Sequence, residues 1–350
     1  MSDLFDYKKE MSALRYTEEQ KNRLAQAAAA AAQGQTGRKR RPVFRTGLIA
    51  AVVAAVLVVG SSAAGILPEP VDVFAPLFGG AVAQTEVIDK IGHPIGASDS
   101  DGGITISADA IMGDEYNAVI VYTLTRDDGE RFLPEDIEAR YLLMGGFGGA
   151  SWVKGGTHGG SWFVDEDPED DKIQMVETAS SDVSMTKGTA TARFEDLCYW
   201  DGETERAEPL YPGNWKFRFE VDYEDCAVHL EGGETFSQDG LSFTIDGVSI
   251  SPIAVKADYT ADTEVVWSDN ESGRQSPEDA EQTRRYLENV EILLVKTDGT
   301  VLDLSNCGGG IRPDNGVTRC EKSRVFDEII PLEGMASISV GGVVYEIPHN

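Results

Sequence analysis

Four cysteines, four histidines and one glycine-rich run carrying aromatic side chains are the parts of this 350-residue sequence whose types and spacing could do chemistry. Cys198, Cys226, Cys307 and Cys320 all lie in its C-terminal half. Four cysteines allow three pairings, and spacing alone selects none. Sequential pairing, Cys198 with Cys226 and Cys307 with Cys320, would close short loops. Disulfides persist in oxidising compartments, so bonded pairs would suit an exported segment. No CxxC occurs, and His93, His158, His229 and His349 stand singly, so no metal site and no cofactor are expected.

The glycine-rich run covers residues 145–160 and carries Phe147 and Trp152, with Trp162 just beyond. Aromatics on a loop held by a rigid scaffold can stack on a sugar or a peptide, which makes these three a candidate ligand loop. A long hairpin with core-facing tryptophan is the commoner use of such a pattern. The run lacks GxGxxG or Walker-type spacing, so phosphate binding is not indicated. Residues 165–171, DEDPEDD, lack the alternating ligands and terminal Glu of an EF-hand and read as a solvated acidic loop. No GxSxG elbow and no Ser/His/Asp or Cys/His set stands out. No catalytic residue is therefore assigned, and the chain is not expected to be an enzyme.

The elements that would carry these residues divide sharply by charge. Residues 1–45 hold ten Lys/Arg against five Asp/Glu, a local balance of +5. The remainder holds twenty against fifty-five, a balance of -35. A surface that acidic repels phosphates and anionic headgroups, which argues against nucleic acid as a partner.

Between these parts, residues 47–67 (GLIAAVVAAVLVVGSSAAGIL) contain no charged side chain. At 1.5 Å per residue they reach roughly 30 Å, the thickness of a bilayer's hydrocarbon core. Arg38, Lys39, Arg40, Arg41 and Arg45 precede the stretch, and Glu69 and Asp72 follow it. That asymmetry predicts a single transmembrane helix over 46–67 with its N-terminus in the cytoplasm. A cleaved signal peptide ending near Ala81-Val82-Ala83 is the competing reading, but leader and apolar span are both too long for one. Pro42 after Arg40-Arg41 argues against twin-arginine export.

Before the span, Leu4, Tyr7, Met11 and Leu14 recur at three- and four-residue steps and share one helical face. Thr17 with Gln20 forms a capping box that starts a second helix through the alanine-rich stretch. An apolar stripe on a stub with no core of its own asks for a partner surface. Beyond the span, 68–85 reads as a Pro/Gly-punctuated juxtamembrane linker.

From there the period changes to two. Ile104, Ile106 and Ala108 alternate with polar neighbours, Val119, Val121 and Thr123 do so around Tyr122, and Trp215, Phe217, Phe219 and Val221 alternate with charged residues. Short strands between Asp-Gly, Gly-Gly and Pro-Gly turns predict a mainly β exterior of two immunoglobulin-like antiparallel sandwiches, 86–230 and 231–350. A weak internal repeat supports two units: DGGITI at Asp101 returns as DGLSFTI at Asp239. Residues 276–289 read as a capped short helix or a polar loop.

Residues 92–130 (GHPIGASDSDGGITISADAIMGDEYNAVIVYTLTRDDGE), together with this layout, resemble the bacterial family catalogued as domain of unknown function 4179. Its members are described as anti-sigma-factor-like single-pass membrane proteins with immunoglobulin-like outer domains. The resemblance implies a sigma factor as the partner of the cytoplasmic stripe and an outside signal of unknown chemistry, and it brings no catalytic residues. A cell-surface adhesion module, whose stub serves only as an anchor, is the alternative.

Overall fold

In the computed structural model, which describes residues 67–146, 148–268 and 275–349, the chain opens on helices rather than on the expected linker. The stripe Leu4, Tyr7, Met11 and Leu14, the span up to residue 66, and Phe147 lie outside the described residues. Among the described residues no helix is long and apolar enough to cross a membrane.

Helix α1 (Pro70–Phe78) begins on a proline, where a missing N–H costs nothing, and ends at Gly79 with φ 110°, a turn that glycine makes without strain. In α2 (Val82–Ile91) the Gln84 side chain accepts the Ala81 N–H at 3.0 Å. The Pro and Gly that suggested a linker are thus a helix start and a helix stop. Val73, Phe74, Phe78, Ile88 and Ile91 bury themselves on the sheet that follows.

That sheet is built from β1 (Gly92–Asp101), β2 (Ile104–Gly113) and β3 (Asn117–Arg126). The facing layer adds β4 (Leu142–Met144) and β5 (Gly149–Ser151), and β6 (Thr157–Val164) with β7 (Lys172–Ser181) returns to the first sheet. Long strands β8 (Lys187–Asp201) and β9 (Arg206–Asp222) complete the facing layer. The orders are β1-β2-β3-β7-β6 on one side and β4-β8-β5 with β9 beside β8 on the other, all antiparallel. Trp215, Phe217, Phe219 and Val221 do face the core, as their alternation predicts. Val119 and Val121 do not. Ala118, Ile120, Tyr122 and Leu124 fill the sandwich, while the two valines face α1 and α2. Both faces of β3 are covered, so alternation could not say which set points inward.

The second sandwich repeats the first. Its strands are β10 (Val228–Glu231), β11 (Thr235–Gln238), β12 (Leu241–Ile250) and β13 (Ala254–Ala261). Helix α3 (Pro277–Thr283) follows, capped by the Ser276 hydroxyl, which accepts the Asp279 N–H at 3.0 Å. Then come β14 (Ile292–Lys296), β15 (Val301–Asp303), β16 (Gly308–Asp314), β17 (Val317–Val325), β18 (Met335–Val340) and β19 (Val343–Glu346). The order β10-β12-β13-β17-β16 mirrors β1-β2-β3-β7-β6, and β15-β14-β18-β19 faces it.

The likeness extends to single residues. A β-bulge leaves Asp109 unpaired in β2 and Asp246 unpaired in β12. Thr123 donates to Asp109 at 2.6 Å, and Thr260 to Asp246 at 2.7 Å. Each bulge flips the strand, so residues of opposite parity reach the core on either side of it. Tyr122 and Tyr259 occupy matching core positions, both fully buried. The turns after the bulged strands match too, with Asp114 N–H on Asn117 O and Ser251 N–H on Ala254 O. These two turns meet: Ser251 donates to the buried Asp114 carboxylate at 2.6 Å and joins the sandwiches at equivalent points.

Candidate binding cleft between the sandwiches

Edge strand β6 of the first sandwich lies beside β16 and β17 of the second, and a cleft of about 340 Å³ opens there. That volume is at the lower end for small-molecule sites. Glycines thin both walls: Gly159 on β6 and Gly308 on β16. His158 reaches across, its Nε2 at 2.7 Å from the Ser323 hydroxyl. Arg324 is held open toward the cleft by donating to the Asn306 carbonyl at 2.7 Å and to Asp327 at 3.1 Å. Trp162 stands at the rim, 43% exposed, and its ring meets Phe78 of α1 edge-on at 6.4 Å.

Behind the cleft the contact between sandwiches is polar and charged. Lys256 on β13 is only 3% exposed, and its ammonium sits over the Tyr116 ring at 4.7 Å. It pairs with Asp258 at 2.5 Å and Glu321 at 3.6 Å, which is what keeps a buried charge tolerable. Arg312 and Asp182 add an outer ion pair at 3.1 Å.

His158 and Ser323 have the spacing of a base and a nucleophile, but not their setting. Burial, assisted by the Lys256 ammonium, pushes the imidazole below its ordinary range, so it is neutral at neutral pH. Ser323 is 3% exposed in mid-strand, and no described carboxylate accepts from the other ring nitrogen of His158. The pair acts as a hydrogen bond between sandwiches. Cys307 lines the same cleft as a protonated thiol, because burial raises it further than Lys322 and Arg324 lower it. The arrangement can bind a small polar ligand with one aromatic stacking surface and one cation.

The structure separates the residues that the sequence grouped. Of the candidate ligand loop, Trp162 reaches the cleft from β6, whereas Trp152 is half-buried against the core of the first sandwich, its indole N–H donating to Met185 O at 2.8 Å. The glycine run is drawn inward because β5 pairs with β8 and the Glu177 carboxylate accepts the Ala150 N–H at 2.9 Å. A Cβ on Gly149 would lie 2.3 Å from that carboxylate.

The sequential disulfides are not formed, and all four cysteines are free thiols. Cys198 lies eleven residues along β8 from Lys187, the end beside which Cys226 follows β9, a separation of roughly 36 Å at strand rise. Gly308, next to Cys307, faces Ser323, three strand positions or roughly 10 Å from Cys320. A disulfide needs Cα atoms within about 7 Å.

The sequence reading also missed a group. Glu115 in the β2–β3 turn, Asp225 in the connector and His229 on β10 bring one ligand atom each within 4.8 Å of one another. Over one hundred residues separate Glu115 from the other two, so linear spacing carried no signal.

No family model matches this chain, and no curated protein matches it. Among solved structures, the crystal structure of the conserved domain protein from Bacillus anthracis is similar, with a TM-score of 0.45 and 13% identity. That likeness covers 71% of this chain and 75% of the other.

Proposed function

We propose that the protein is a membrane-anchored regulator of the anti-sigma type with immunoglobulin-like outer domains. Residues 1–45 hold a sigma factor in the cytoplasm, 47–67 cross the bilayer, and the two sandwiches report an outside event. One observation carries the reading. The segment directly after the apolar stretch docks on both sandwiches: α1 and α2 cover the first, Gln84 donates to Ile329 O at 3.0 Å, and Ile329 N–H donates to Phe78 O at 2.9 Å. An inert tether needs no such docking. A helix pair clamped at the junction, with Phe78 against the rim tryptophan of the cleft, shifts when the sandwiches shift. The resemblance of residues 92–130 to anti-sigma-like membrane proteins points the same way.

Val73, Phe74 and Phe78 are buried, while Val82 at the start of α2 is 74% exposed, so the outside event is either ligand binding at the cleft or cleavage in the turn before α2. The test is co-purification from membranes. Tagged full-length protein should bring down a sigma factor, deletion of 1–45 should lose it, and that deletion should raise the sigma factor's transcription several-fold. Failure to recover any sigma factor, together with unchanged transcription on deletion, would sink the reading.

A further inference from the structure

We infer that Glu115, Asp225 and His229 form a binding site for a divalent transition-metal ion, Zn²⁺ by chemistry, at the hinge between the sandwiches. The donors come from three segments that the fold alone brings together. Glu115 belongs to the first sandwich, Asp225 to the connector, and His229 to the first strand of the second. His229 Nε2 lies 2.6 Å from Asp225 Oδ2 and 3.6 Å from Glu115 Oε2. Ligands on tetrahedral zinc, at bond lengths of about 2.1 Å, sit about 3.4 Å apart, so movements on the order of an ångström admit the ion. It would take the place of the contact between His229 Nε2 and Asp225 Oδ2.

Two of the donors are already oriented. The other Asp225 oxygen accepts the Glu115 N–H at 2.9 Å and the Ala227 N–H at 3.0 Å, which leaves Oδ2 for the ion. The His229 ring stands edge-on to Tyr116. Cys226, next in sequence, turns its thiol away to the Gly113 carbonyl. The donor set is therefore one imidazole and two carboxylates. Two carboxylates balance a divalent charge, and an imidazole favours zinc over calcium or magnesium.

A second, independent observation points to a ligand. Ser249 faces His229 directly across the β10–β12 pair, so the two side chains leave the sheet on the same face. Ser249 is 6% exposed, and its hydroxyl has no hydrogen-bond partner among the described residues. Orphaned buried hydroxyls are costly and uncommon. A water completing the zinc coordination beside His229 gives this hydroxyl its partner. The partial exposure of the three donor side chains leaves room for that water.

The inference rests on this geometry and not on the signalling role, so metal binding can be tested separately. Full-length protein in detergent, stripped with chelator, is titrated with Zn²⁺ and with Ca²⁺ by calorimetry. One zinc per chain is expected, with calcium much weaker. His229→Ala should weaken zinc binding at least about 100-fold and Ser249→Ala about tenfold, as losses of a ligand and of an outer partner do. Asp225→Asn serves as the second ligand variant, with thermal unfolding in chelator reporting that each variant is folded. Substitution of the wild-type site by Co²⁺ should give a spectrum without a thiolate charge-transfer band. Absence of saturable binding, unchanged affinity in the ligand variants, or a thiolate band would each overturn the site.

Discussion

Glu177 and Lys322 show how much a single position can hide. Register places Glu177 opposite Ile120 in the first sandwich and Lys322 opposite Ala257 in the second, equivalent core-facing places filled by an acid and a base. Lys322 is fully buried and donates to Val290 O at 2.6 Å and Ser305 O at 2.8 Å. Glu177 retains some residue surface, but its carboxylate accepts from Tyr122 OH at 2.6 Å and from Ala150 N–H, tying the two sheets together. Burial outweighs those hydrogen bonds and raises the carboxyl from 4.5 to about 7. The folded state thus prefers the protonated acid. Its contribution, about 3 kcal/mol at most, is fully present below about pH 4.5 and is lost as pH rises through about 7. We predict that Glu177→Gln removes this slope: the gap in unfolding temperature between wild type and variant should change between pH 5 and 8. A constant gap would show that Glu177 titrates normally. Both residues have the parity of core positions in their strands, which the sequence displays. Their hydrogen-bond partners lie in other strands and were not legible.

At the scale of elements, alternation worked where only one face of a strand is covered, as in β9, and misled where two are, as in β3. The helices escaped notice because Pro70 and Gly79 look like breakers until the chain between them is seen to bury Val73, Phe74 and Phe78. Phe74 is fully buried beneath β2 and β3. Phe74→Ala should cost about 3–5 kcal/mol of helix docking. Limited proteolysis should then cut within 70–91 much faster than in wild type while the sandwich cores survive. Equal cleavage rates would mean that α1 is not held by its apolar face. The cysteine pairing was left open for a related reason: sequence distance says nothing of strand register, and register is what keeps Cys307 from Cys320.

For the molecule as a whole, the repeat was legible in two turns and two strand starts, DGGITI and DGLSFTI, because turn chemistry is local. The matching bulges at Asp109 and Asp246, the Asp114–Ser251 junction and the cleft were not legible, since all depend on how one sandwich meets the other. The central claim is that the cleft and helices α1 and α2 act as one mechanical unit through Trp162 and Phe78. An edge-on aromatic pair contributes about 0.5–1.5 kcal/mol, enough to change local opening roughly two- to tenfold. The direct measurement is amide hydrogen exchange on full-length protein in detergent, comparing wild type with Trp162→Ala. The account predicts roughly two- to tenfold faster exchange in α1, with β2, β3, β12 and β13 unchanged. Exchange in α1 that does not respond to the loss of Trp162 would contradict it.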